Sequence, residues 1–201
     1  MDNSQLRRRE GRIGPLGYYW FLTFEHASEF HAQVKDCQQS INTAHFDLTA
    51  AEGLHLTLDR IAYDGELSSS QLGSIASAAG HACRRQSPFT LRMDHLTDLH
   101  GAIGFIASPQ ERVHTLRDGL RTATRSVFPD APVKDSASNP HVTVAYPAFE
   151  DLPAAAAAMV EKMGATAYGV DVAITEAIMV SLKRHPHSYE WDVISRISLG
   201  V

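Results

Sequence analysis

Strict alternation in two short segments constrains this chain more than any other feature. GLHLTLDRI, residues 53–61, and NPHVTVAYP, residues 139–147, each contain the tetrad His, apolar, Thr, apolar. Side chains on a strand point to its two faces in turn, so His55 and Thr57 share one face while Leu54, Leu56 and Leu58 share the other. The same rule sets His141 and Thr143 against Val142 and Val144. The apolar faces can pack beneath helices, which leaves two His/Thr faces to line a cleft.

Helices and strands alternate around these segments. Tyr18 to Phe24 reads as a strand, and Ser28 is placed to cap a helix reaching about Ile41. Leu54 to Ile61 is the first motif strand, followed by a helix from Ser70 to Arg85. Phe89 to Leu96 and Ala102 to Ala107 form a hairpin across the turn at 98–101. Ser108 is expected as the N-cap of the next helix, with Pro109 at its first position, running to about Phe128. After the Pro/Asp/Ser-rich loop 129–140 come the motif strand His141 to Ala145, a helix near Leu152 to Met163, and two closing strands near Val172 to Leu182 and Tyr189 to Leu199.

The expected architecture is α+β: bilobal, with pseudo-two-fold duplicated mixed or antiparallel sheets, flanking helices and a central cleft. Residues 1–16 read as a flexible leader ending near Gly14-Pro15, and 17–201 as one bilobal domain.

With 18 basic and 23 acidic residues the formal charge is −5, and Arg7-Arg8-Arg9 is the longest run of one sign. Duplex DNA or RNA binding rests on neutralising many phosphates, so it is not expected of this chain. Cys37 and Cys83 lack metal-ligand spacing and read as idle thiols in a reducing compartment. No apolar run approaches the ~20 residues of a membrane span, and Glu10-Gly11-Arg12 interrupts any export signal. A cytoplasmic location and a monomeric state are expected, with no membrane partner.

Paired imidazoles have a specific chemical use. In-line displacement at phosphorus needs a base for the entering oxygen and an acid for the leaving one, and imidazole can serve as either near neutral pH. A threonine hydroxyl two residues along can hydrogen-bond a phosphoryl oxygen.

One His-x-Thr-x tetrad in each half of a chain of this length resembles the 2H phosphoesterase superfamily, with its bacterial 2′-5′ RNA ligases and RNA 2′,3′-cyclic phosphodiesterases. The resemblance implies metal-independent chemistry, without a cofactor, on the 2′,3′-cyclic phosphate or a related 2′-5′ diester of a nucleotide or RNA terminus. It implies His55 and His141 as the acid/base pair and Thr57 and Thr143 as phosphate donors, with the assignment of acid and base left open. Ligation would be the reverse reaction. In the RNA-ligase branch the second motif commonly continues as Ala-Arg, whereas this chain has Ala145-Tyr146; the first motif continues as Asp59-Arg60.

Four further residues are candidates for substrate contact: Tyr146 just past the second motif, Lys183 and Arg184 before the loop KRHPHS, and Tyr18 for stacking a base. His185 and His187 in that loop lack a recognisable set of metal ligands around them. Two other readings stay open: a non-catalytic nucleotide or RNA-end binder, and a metal-dependent hydrolase using the surplus histidines.

Overall fold

A computed structural model describes residues 13–99, 101–133, 139–149, 161 and 169–200. The expected helix at 152–163 apart from residue 161, His100, the middle of the 129–140 loop and residues 1–12 of the leader lie outside the described residues. In chain order the elements are β1 Gly14–Thr23, α1 Ser28–Gln38, β2 Phe46–Leu48, β3 His55–Ala62, α2 Ser69–Cys83, β4 Phe89–Leu99, β5 Ala102–Ser108, α3 Gln110–Val127, β6 His141–Pro147, β7 Val170–Ile174, β8 Glu176–Arg184 and β9 Tyr189–Ser198. No helix among the described residues is long and apolar enough to cross a membrane.

The strands form two sheets, ordered β3-β1-β8-β9 and β2-β6-β5-β4-β7. Every described pairing is antiparallel, which selects that form of the expected α+β fold. The duplication is also visible in the pairing. The runs β1-α1-β3-α2-β4 and β5-α3-β6-β8 follow the same order, and each sends its last strand into the other's sheet: β4 pairs with β5, and β8 pairs with β1. The lobes are therefore not the two halves of the chain. Hairpin closure favours the β4–β5 part of this exchange, because joining adjacent antiparallel strands by a short turn restricts the chain least. In the β4–β5 turn Gly101 has φ +101°, and its N–H donates to Asp98 Oδ1 at 2.6 Å.

Four local expectations are corrected. The single strand expected over 172–182 is cut at Thr175 into β7 and β8, which belong to different sheets. Buried residues continue on both sides of the cut, so the sequence carries no turn signal there. Ser108 does not cap α3: it is the last residue of β5, paired with Arg92, and Pro109 takes the N-cap position. Ser28 is the first residue of α1, and Ala27 precedes it without a side-chain cap. Residues 14–16, assigned to the leader, are part of β1, where Pro15 pairs with Lys183. Gly17 makes this entry possible: its φ is +115°, and a Cβ there would lie 2.2 Å from the Ala62 carbonyl oxygen.

A shared core joins both sheets to the helices. It includes Trp20, Leu56 and Leu58 of the four-stranded sheet, Phe105, Val142 and Val144 of the five-stranded sheet, and Leu116 and Leu120 of α3. Trp20 Nε1 donates to Thr124 Oγ1 of α3 at 3.0 Å. α2 instead has a full capping box, with Gln71 N–H donating to Ser68 Oγ at 3.3 Å and Ser68 N–H to Gln71 Oε1 at 3.0 Å. On the opposite face of the four-stranded sheet a smaller cluster gathers Tyr19, Phe21, Ile178, Val180 and Leu182, with Tyr189 and Trp191 packed against it.

Candidate active site

Both motif strands carry a bulge at the same place. On β3, His55 pairs with Thr23, Leu56 with Leu22 and Thr57 with Phe21, but the next partner of β1 is Asp59, so Leu58 is passed over. On β6, His141 pairs with Ile106, Val142 with Phe105 and Thr143 with Gly104, but Ile103 then pairs with Ala145, so Val144 is passed over. An extra residue in one strand reverses which face the following side chains occupy. Asp59 therefore turns towards α3, where its Oδ2 meets Arg121 Nε at 2.7 Å, and Ala145 turns into the core. Arg60 and Tyr146 return to the His/Thr face.

Each imidazole is held in the same way. The Nδ1–H of His55 donates to the Gly53 carbonyl at 2.8 Å, and that of His141 donates to the Asn139 carbonyl at 2.8 Å. A carbonyl oxygen only accepts, so these bonds put the proton on Nδ1 and leave the Nε2 lone pair for chemistry. In both strands the acceptor is the residue two positions before the histidine. β3 and β6 lie against each other, and His55 is near enough to His141 to feel its charge.

The environment of His55 is strongly apolar. Its ring stacks on Phe21 at 4.3 Å between centroids and meets Trp191 edge-on at 5.1 Å. Burial pushes its pKa from 6.5 down to about 4; the Gly53 hydrogen bond opposes that shift, and the neighbouring His141 charge adds to it. His55 is thus neutral at pH 7. Thr57 is exposed and Thr143 is buried. Opposite Thr143 only glycine fits, since a Cβ on Gly104 would lie 2.5 Å from the Val142 carbonyl oxygen.

A cavity of about 460 Å³ opens beside His55, lined by Leu48, Glu52, Tyr146, Tyr189 and Trp191 among others. Tyr146 and Tyr189 bring the two sheets together there, with ring centroids 5.3 Å apart. The loop after β8 closes this end. His187 Nδ1 lies 3.0 Å from Asp47 Oδ1 on β2 of the other sheet, and His185 Nε2 lies 2.8 Å from Glu190 Oε2.

The structure brings His55 and Tyr146 to one cavity and sets His141 close enough to His55 for its charge to act on it, with Thr57 beside His55 and Thr143 beside His141 on the faces of their own strands by alternation. Arg184 stands at the end of the cavity, its guanidinium 5.8 Å from the Tyr189 ring centroid. Lys183 and Tyr18 are not brought there. Lys183 alternates to the other side of β8, with Nζ 3.8 Å from Asp192 Oδ2, and Tyr18 packs against the main core. Trp191 was not singled out by sequence, and Arg60 stood out there only as the continuation of the first motif, not as a residue of the site. The bulge that re-aims Arg60 follows two residues with the same alternation as the rest of the strand, so no local signal announces it. Among the described residues no three His, Cys, Asp or Glu side chains cluster closely enough to hold a metal ion.

A sequence model of the 2′-5′ RNA ligase superfamily matches residues 24–186. No curated protein sequence matches significantly. Among solved structures, E. coli LigT complexed with 3′-AMP superposes with a TM-score of 0.67 at 18% identity, covering 92% of this chain and 98% of that one. E. coli LigT complexed with NADP+ gives 0.65 at 19% identity, with coverage of 93% and 99%. The protein TT0787 of Thermus thermophilus gives 0.67 at 18% identity, with coverage of 92% and 98%. At these identities the superpositions establish a common fold.

Proposed function

Since the chain belongs to the 2′-5′ RNA ligase superfamily, a group of phosphoesterase and RNA-ligase-type proteins, we propose that it is a metal-independent phosphodiesterase opening the 2′,3′-cyclic phosphate of a nucleotide or RNA end. The observation that carries this reading is the matched pair of imidazoles, each with Nδ1 tied to a carbonyl and Nε2 left to give or take a proton. The nucleotide substrate class is supported by the E. coli LigT complexes with 3′-AMP, ATP and NADP+.

His55, neutral at pH 7, takes a proton from water through Nε2 as the water oxygen bonds to phosphorus. His141, in its protonated form, delivers a proton to the ribose oxygen as the P–O bond breaks. The Thr57 and Thr143 hydroxyls donate to the non-bridging oxygens, where charge builds up in the transition state. Each turnover moves one proton from His141 to the product and one from water to His55, and exchange with solvent restores both. Ligation is the same path with a ribose hydroxyl as the entering group.

The test is turnover of a panel of 2′,3′-cyclic nucleotides by wild type, His55→Ala and His141→Ala, with and without a chelator. Loss of at least a hundredfold in both variants, with folding intact and no chelator effect, is expected. Full activity in either variant or loss on chelation refutes the reading. Nucleotide binding without any product from the wild type would instead favour a non-catalytic binder.

A further inference from the structure

The matched bulges make Arg60 and Tyr146 equivalent positions at opposite ends of the His/Thr centre. Along β3 the order is His55, Thr57, Arg60, with Gly53 just before it, and the aromatic cavity with Tyr146 lies at the His55 end. Arg60 stands at the other end, opposite Tyr19, which is two residues along β1 from the partner of Thr57 and so about 7 Å further on.

Its guanidinium is held in place. Nε donates to Tyr19 Oη at 2.7 Å and Nη2 donates to the same oxygen, while Cζ lies 5.0 Å from the Tyr19 ring centroid and 4.5 Å from that of Tyr63. Tyr63 is exposed, so a ligand can reach this end. Among the described residues no carboxylate lies within ion-pair distance of Arg60, and Nη1 has no hydrogen-bond partner. Its neighbour Asp59 uses its carboxylate on Arg121 of α3 and on the Arg60 backbone N–H. A fixed guanidinium with donors to spare, beside a phosphate-handling centre, suits an anion. It is seated over Tyr19 and Tyr63 rather than over Phe21, which places it beyond the reacting phosphate.

A nucleoside has a matching order. The base on C1′ is next to O2′, the cyclic phosphate bridges O2′ and O3′, and the 5′ oxygen follows beyond C4′. We propose that Arg60, propped by Tyr19 and Tyr63, binds a second phosphate, carried on the 5′ oxygen of the nucleoside whose cyclic phosphate is opened. This rests on the reading of the site as a cyclic phosphodiesterase. The aromatic cavity takes the base, the His/Thr centre takes the cyclic phosphate, and Arg60 takes the next phosphate of an RNA end or of a 5′-phosphorylated nucleotide.

Binding without turnover separates the two ideas. Calorimetry compares adenosine 3′-monophosphate, adenosine 3′,5′-bisphosphate and the 3′-phosphorylated dinucleotide ApAp on wild type, Arg60→Ala and Arg60→Lys. In the wild type the second phosphate is expected to tighten binding about tenfold. That ratio should fall to near one in Arg60→Ala and recover in part in Arg60→Lys, and binding of the bisphosphate should become less sensitive to salt in Arg60→Ala. Gain by the dinucleotide alone identifies an RNA chain as the source of the phosphate; equal gain by the bisphosphate identifies any 5′ phosphate. A wild type with no preference for the second phosphate, or a preference that survives in Arg60→Ala, overturns the proposal. Turnover of cyclic mononucleotides that depends on both histidines, combined with either of those results, removes the Arg60 site and leaves the catalytic reading standing. A preference lost in Arg60→Ala, combined with no turnover by the wild type, does the reverse.

Discussion

Acid should weaken this protein through His55. An imidazole whose folded pKa lies below its unfolded value is protonated more readily in the unfolded chain, so stability falls as pH drops through the interval between the two values. Here the interval runs from 6.5 down to about 4, and above 6.5 the contribution is constant. Integrating the linkage with those two values gives a loss of about 1 kcal/mol at pH 5.5 and roughly 2–3 kcal/mol at pH 4.5, relative to pH 7.5. Other groups titrate in the same interval, so the measurement is a difference. Urea unfolding at the three pH values is compared between wild type and His55→Asn, whose amide cannot titrate but can still donate to the Gly53 carbonyl. The variant should lose less stability between pH 7.5 and 4.5 than the wild type, by roughly 2–3 kcal/mol. Nuclear magnetic resonance titration of the ring should report the same low pKa directly. The acid limb of kcat/KM, which reads the free enzyme's base, should then fall near pH 4. Equal acid sensitivity in the two proteins, or a His55 ring titrating near 6.5, refutes the argument that burial under Phe21 and Trp191 keeps this imidazole neutral.

Three substitutions test the surrounding scaffold. Gly104→Ala forces a methyl to within 2.5 Å of the Val142 carbonyl oxygen and should cost about 2 kcal/mol in urea unfolding, with loss of turnover as β6 shifts. Asp59→Ala removes the carboxylate 2.7 Å from Arg121 at a buried site and should cost about 3 kcal/mol by the same measurement; a cost below about 1 kcal/mol would show that the pair does not anchor β3 to α3. Tyr146→Ala opens the cavity beside His55 and should weaken adenosine 3′-monophosphate binding about tenfold in calorimetry, the loss of one aromatic stacking surface.

Much of the site could be read from local pattern. The tetrads specified which side chains share a face as far as Thr57 and Thr143, because alternation depends only on neighbouring residues of one strand. Beyond those threonines the pattern fails at Leu58 and Val144. A bulge is a property of two paired strands, and β1 and β5 are the partners that define it. Hence Arg60, which alternation leaves facing the helices, stands on the His/Thr face. The cut at Thr175 was illegible for a related reason: β7 and β8 are both apolar enough to be buried, and only pairing with β4 on one side and β1 on the other separates them.

By itself the sequence determined the α+β class, the strands that carry the motifs, and the pairing of each histidine with a threonine, since these follow from periodicity and residue chemistry along short stretches. The tertiary structure decided what surrounds them. The exchange of β4 and β8 between sheets, the depressed pKa of His55 between Phe21 and Trp191, and the guanidinium of Arg60 over Tyr19 each require residues far apart in the chain to meet. Burial, strand register and electrostatic neighbourhood exist only after that meeting, so no reading of adjacent residues could supply them.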